Sequence, residues 1–317
     1  MILINKNIKE MKNMKKIAVG KMFEGTEVSM GCMRMKALSV SDVENIVGVA
    51  MDQGITYFDH ADIYGDGKSE EVFGEAAKNL GLKREDIILQ TKCGIRKGFF
   101  DFSKEHIISS VEKSLKRLQA DYVDVLLLHR PDTLVEPEEV AEAFDHLHQS
   151  GKVKYFGVSN HNPYQIELLQ KFLDHKIVIN QMQFGIMHTV MIDAGINVNM
   201  YNNDSVMRDG GTLDYCRLKD ITIQAWSPYQ YGFFEGVFLD NDKFSALNTV
   251  IDRIAKEKGV SNVTIATAWI LRHPAKMQVV VGTMNTGRLK EIAKASNVEL
   301  SREEWYEIYT AAGHVLP

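Results

Sequence analysis

Four residues with useful chemistry stand at or just past the ends of short apolar runs: Asp59 in "TYFDHA", Tyr64 five residues on, Lys92 in "IILQTKC" and His129 closing "VDVLLLH". A lone buried charge is costly, so an acid and a base inside apolar runs are expected to pair. An ammonium beside a phenol lowers its pKa from about 10. Lys92 is therefore expected to make Tyr64 a working general acid near neutral pH. His129 can hydrogen-bond a carbonyl oxygen and orient it. Together they suit a pocket that protonates a carbonyl, and no nucleophile carries an attached base. The rival reading is a metal site built from Asp59, His60, Asp62 and His129. Successive strand residues face opposite ways, which separates Asp59 from His60. The sole His-x-His, His146 and His148, falls in a helical pattern, so no metal is expected.

Something must bring these residues together. Eight β-rich runs recur along the chain, at 28–33, 56–61, 87–93, 123–129, 155–159, 178–184, 222–227 and 279–283. They are short and apolar, as strands buried on both faces are. Amphipathic segments separate them. In 103–118, Ile107, Val111, Leu115 and Leu118 repeat at helical spacing; 137–149 and 163–173 each open on a first-turn proline. Further helices are predicted at 41–53, 69–79, 244–258, 261–272 and 286–295. Eight alternations without a composition break predict a single-domain (β/α)8 TIM barrel over 15–317, with residues 1–14 expected as a disordered or dispensable N-terminal extension. A doubly wound sheet is the competitor. It lacks its nucleotide signatures: Glu70 replaces the third glycine after Gly65 and Gly67, and Asp62 replaces the first glycine of a P-loop ending in Gly67-Lys68-Ser69.

In such a barrel the site lies at the C-terminal strand ends. Those ends also deliver Ser159, Asn160 and His161, then Gln181, then Trp226 and Ser227, then Gly282, Thr283 and Arg288. One long connection, 185–211, breaks the rhythm and is expected to be an insertion or a roof over the pocket.

The bulk numbers narrow the function. Among 317 residues, 45% are hydrophobic and the net charge is -5, so a broad nucleic-acid surface is not expected. No apolar run is long enough to span a membrane. Three scattered cysteines, Cys32, Cys93 and Cys216, offer no disulfide framework and suit a reducing cytoplasm.

The ordered set of motifs resembles the aldo-keto reductase family. "GITYFDHADIYG" (54–65) resembles its aspartate–tyrosine signature, "ILQTKCG" (88–94) its lysine strand and "DYVDVLLLHRPD" (121–132) its histidine strand. "GKVKYFGVSN" (151–160), "NQMQF" (180–184), "AWSPY" (225–229) and "VVVGTMNTGRLKE" (279–291) follow in order, and "EEWYEIYTAAGHVLP" resembles a bacterial branch with a short tail. The resemblance implies nicotinamide-dependent reduction of aldehydes and ketones to alcohols, with Asp59, Tyr64, Lys92 and His129 catalytic. It implies that Ser159, Asn160 and Gln181 hold the nicotinamide amide and that Trp226 stacks on the ring. It places Ser227 at the pyrophosphate, Thr283 and Arg288 at the adenosine 2′-phosphate, and Glu291 at the adenine. The implied cofactor is NADP(H), with NAD(H) left open. The implied partner is a small carbonyl compound, acted on by a monomer or weak homo-oligomer.

Several positions depart from the family pattern. Gly282 stands where many members have a lysine, which removes one cation for the 2′-phosphate. Met33 replaces an aromatic pocket residue. His60 replaces a small polar residue and is expected to face the helix layer. The insertion near 190–208 is unusual. A barrel that senses the dinucleotide with little turnover is the alternative reading.

Overall fold

The computed structural model describes residues 14–317, so the extension expected over 1–14 lies, but for Met14, outside the described residues. Eight parallel strands close into a barrel. They are β1 (Val28–Gly31), β2 (Tyr57–Asp59), β3 (Ile88–Cys93) and β4 (Val123–Leu128), then β5 (Val153–Ser159), β6 (Ile177–Gln183), β7 (Thr222–Trp226) and β8 (Gln278–Val281). Each pairs with its sequence neighbours, and β8 closes on β1 through Val279–Val28 and Val281–Met30. All eight predicted strands are present, with ends shifted by a residue or two.

The helices form where the spacing predicts. Helix Lys104–Leu118 buries Ile107, Val111, Leu115 and Leu118 against the sheet, and Ser103 caps it by accepting from the His106 N–H. Helix Val40–Asp52 is closed by a capping box of Ser39 and Asp42, and helix Pro163–Gln170 by one of Asn162 and Gln165. Fully burying one such aliphatic side chain contributes roughly 1.5–3 kcal/mol. The helix layer is thus held chiefly by its apolar stripe.

A hairpin precedes the barrel, with strands Lys16–Val19 and Phe23–Thr26. It plugs the end opposite the site: Val19 packs with Tyr57, Val125, Leu127, Val178 and Ile179 inside the barrel, and Phe23 stacks on Tyr155. Its turn needs Gly20. There φ is +56°, and a Cβ would lie 2.4 Å from the Val178 side chain. This hairpin was not predicted, because a two-strand plug pairs with nothing in its own stretch of sequence beyond itself.

Candidate active site

β2 ends on Asp59, and the chain then turns so that Tyr64 N–H reaches the Ala61 carbonyl at 3.1 Å. Gly65 completes that turn at φ +63°, where a Cβ would strike the Lys36 side chain at 2.7 Å. Lys92, on β3, aims its ammonium at the same point. Nζ donates to Asp59 Oδ1 at 2.7 Å, to the His60 carbonyl at 2.8 Å and to the Tyr64 hydroxyl oxygen at 3.2 Å. Its three donors therefore have three acceptors. The Asp59–Lys92 pair is essentially sealed, with side chains 3% and 0% exposed. At the end of β4, the His129 ring stands edge-on to the Tyr64 ring at 5.9 Å. Its Nδ1 is buried without a hydrogen-bond partner among the described residues. The four residues expected to act together do meet.

The electrostatics refine one expectation. Burial alone would push Lys92 down, but Asp59 and then Tyr64 more than offset it and hold its pKa above the ordinary range. Tyr64 is raised rather than lowered: burial outweighs the nearby Lys92 ammonium. The expected depression is overturned because the cost of burying the phenolate exceeds what the Lys92 ammonium returns. The phenol keeps its proton, and Lys92 limits what giving it up costs. His129 is held well below the usual imidazole range, first by burial and then by Lys92 and Arg130, so its ring is neutral.

The other strand ends meet around one cavity of about 560 Å³ that reaches Asp59, Tyr64 and His129. Ser159, Asn160, Gln181, Trp226, Ser227, Gly282, Thr283 and Arg288 all line it. Asn160 links its neighbours: its amide donates to Ser159 Oγ at 2.7 Å, and its Oδ1 accepts from Trp226 Nε1 at 3.1 Å. Asn160 and Ser227 hold left-handed backbone at φ +60° and +50°, a strain that clusters at functional sites. Glu291 lies on helix Thr286–Ala293 outside the cavity wall, where its carboxylate accepts from Lys294.

The profile of the Aldo/keto reductase family matches residues 27–312. The chain belongs to the aldo/keto reductase family. It is therefore a nicotinamide-dependent oxidoreductase. The "Uncharacterized oxidoreductase YcsN" of Bacillus subtilis is 37% identical, over 96% of this chain and 100% of that protein. A "6-dehydroglucose reductase" of Agrobacterium fabrum is 35% identical, over 94% and 98%. An aldo-keto reductase from Klebsiella pneumoniae, solved in complex with NADPH, superposes with TM-score 0.74 at 23% identity, over 93% of this chain and 94% of that one. That last likeness is one of fold.

Three features of this aldo/keto reductase differ from, or go beyond, the sequence reading. The 185–211 connection does not roof the cavity. It forms helix Val190–Ile196 and packs against the C-terminal region, with Asp193 accepting from the Tyr309 hydroxyl at 2.9 Å. The cover is instead the short hairpin of Gln230–Tyr231 and Gly236–Val237, whose turn carries Phe233 and Phe234. The Phe234 ring stacks over Trp226 with centroids 6.2 Å apart. His60 faces the helix layer as expected, edge-on to Phe73 at 4.6 Å, and both its ring nitrogens are buried without partners among the described residues. Asp59 and His60 thus point apart, as the strand alternation requires.

Below the site lies a polar layer the sequence reading missed. Asp59 Oδ1 also accepts from the Gln90 and Gln181 amides. Gln90 and Gln181 both donate to Gln224 Oε1, at 2.9 and 2.8 Å, and Gln224 donates to Gln278 at 2.6 Å. The Tyr57 hydroxyl donates to Gln90 Oε1 at 2.7 Å. Lateral register makes the chain possible, since Asp59 faces Gln90, and Gln224 faces both Gln181 and Gln278. Glutamines inside otherwise apolar strands were the available signal.

Proposed function

We propose that this chain uses NADPH to reduce an aldehyde or ketone, with Tyr64 as proton donor, Lys92 and Asp59 setting its charge, and His129 orienting the carbonyl. The observation that carries the reading is the Lys92 ammonium. It bridges the buried Asp59 carboxylate and the hydroxyl of Tyr64, a residue that lines the cavity.

The cavity suits a dinucleotide. Trp226 offers a flat face, Ser159 and Asn160 supply amide-sized polar contacts, and Gln181 stands beside Asp59 with its Nε2 at 3.1 Å. Cations gather near β8. Arg34 Nη1 donates to the Gly282 carbonyl at 2.7 Å, beside Thr283, and Arg288 lines the same wall. Arg34 thus stands where the missing lysine leaves room. A guanidinium matches phosphate geometry well, which supports NADPH over NADH. The NADPH held by the Klebsiella protein of the same fold points the same way.

A reduced nicotinamide held by Ser159, Asn160, Gln181 and Trp226 would supply the hydride that the carbonyl carbon needs. Tyr64 gives its phenolic proton to the carbonyl oxygen, and the Lys92 ammonium at 3.2 Å stabilises the tyrosinate left behind. Neutral His129 hydrogen-bonds the same oxygen and fixes its direction. Water returns the proton to Tyr64, so the balance is one hydride and one proton per alcohol formed. The three free, buried thiols suit a reducing cytoplasm. The partner is a small molecule, met by a monomer or weak homo-oligomer.

The test is NADPH and NADH oxidation over a panel of aldehydes and ketones, with Tyr64→Phe as control. Turnover in that variant should fall on the order of 10²–10⁴-fold, with dinucleotide binding retained. Full activity in Tyr64→Phe would sink the assignment. Tight dinucleotide binding with negligible turnover of every carbonyl would favour the sensing barrel instead.

A further inference from the structure

We infer that Arg130 recognises an oxyanion on the substrate, a carboxylate or a phosphate, so that this chain prefers anionic carbonyl compounds to neutral ones. The inference rests on the carbonyl-reductase reading above. Arg130 directly follows His129 and lines the same cavity. Its guanidinium lies over the Trp226 ring, 5.8 Å from the centroid. The side chain is half-buried, yet among the described residues no acid and no hydrogen-bond acceptor pairs with it. A cation withdrawn from water normally acquires a partner. Partners are not scarce, because the chain has 42 acidic residues against 37 Lys and Arg.

The acids on the cavity wall, Asp59 and Asp240, and Asp132 just along the chain are engaged elsewhere. Asp132, two residues on, accepts from the Phe102 N–H at 3.0 Å through one oxygen and from the Leu134 N–H at 2.9 Å through the other. Asp59 holds Lys92, and Asp240 accepts from the Asn262 amide at 2.7 Å. Burial lowers the Arg130 pKa with no acid to offset it. The cofactor's phosphates have Arg34 and Arg288 on the β8 side. Arg130 comes instead from β4, beside the residue that orients the carbonyl, where a bidentate guanidinium would meet an anion on the substrate itself.

The test uses matched pairs with the full chain and NADPH: succinic semialdehyde against butanal, and glyceraldehyde 3-phosphate against glyceraldehyde. In the wild type, at least one anionic member should lead its neutral partner by about tenfold or more in kcat/KM, mainly through KM. Which pair shows the preference separates carboxylate from phosphate. The ratio should collapse towards one in Arg130→Met and survive in part in Arg130→Lys, which also covers a methionine variant that does not fold. A wild-type ratio near one in both pairs would overturn the inference, as would an unchanged ratio in Arg130→Met. A rise in the NADPH KM shared by all substrates would also overturn it, by placing Arg130 on the cofactor. If neutral aldehydes turn over without any anionic preference, only this inference fails. If neither member of any pair turns over, the reductase reading fails and takes this one with it.

Discussion

Lys92 and Asp59 form an ion pair closed to solvent, 2.7 Å from nitrogen to oxygen, and the same ammonium touches the hydroxyl of Tyr64, a residue of the cavity wall. Structure and reactivity therefore share one charge. Removing one member of such a pair leaves the other buried alone, which costs about 3–5 kcal/mol. Lys92→Met should lower stability by about that amount and abolish most turnover. Adding Asp59→Asn should restore much of the stability and none of the turnover. Urea melts and steady-state rates on the two single variants and the double variant check it. Stability that stays low in the double variant would mean that packing, not charge, is what Lys92 supplies.

Arg34 and Arg288 make the cofactor preference testable. Charge-assisted hydrogen bonds are worth roughly 1.5–3 kcal/mol. Arg34→Ala and Arg288→Ala should each raise the KM for NADPH by about tenfold or more and change the KM for NADH much less. Equal effects on both cofactors would remove the 2′-phosphate from these side chains.

His60 should make the fold acid-sensitive. Burial first, and then Lys92, push its pKa down to about 3 from 6.5. The folded state thus prefers the neutral ring. Its contribution is intact above about pH 6.5 and is lost as pH falls towards 3. Between about pH 6.5 and 4 the wild type should lose about 3 kcal/mol more stability than His60→Leu. Denaturant melts across that range measure the difference, and parallel pH curves would refute it.

The two candidate covers predict opposite phenotypes. Tyr309→Phe removes the hydroxyl that anchors the 185–211 segment through Asp193, and should cost about 1–3 kcal/mol of stability with no change in substrate ranking. Phe234→Ala strips a ring from the cavity roof over Trp226, and should change the KM for carbonyl substrates with little loss of stability. A changed substrate ranking in Tyr309→Phe would return the insertion to the pocket.

Much of this protein is legible in one dimension. Strand alternation alone separates Asp59 from His60, since their side chains leave the backbone on opposite faces. Eight short apolar runs with helical spacers can bury both faces of their strands in few ways other than a barrel. The order of Asp59, Lys92 and His129 along β2, β3 and β4 then makes them neighbours, because each strand of a closed parallel barrel pairs with the next. What needed the tertiary structure depends on contacts between distant segments and on exclusion of water. The Gln90–Gln181–Gln224–Gln278 layer exists only because lateral register sets Gln181, Gln224 and Gln278 side by side on β6, β7 and β8, and closure of the barrel brings Gln90 of β3 across its interior to Gln224. The 185–211 segment could roof the cavity or flank it, and its bonds to Tyr309, His314 and Val315, more than a hundred residues on, decide. Arg34 fills the gap left at Gly282 because β1 closes on β8. Tyr64 has Lys92 beside it either way, but the sign of its pKa shift depends on how much water reaches the phenol, which is set by the whole packed barrel mouth.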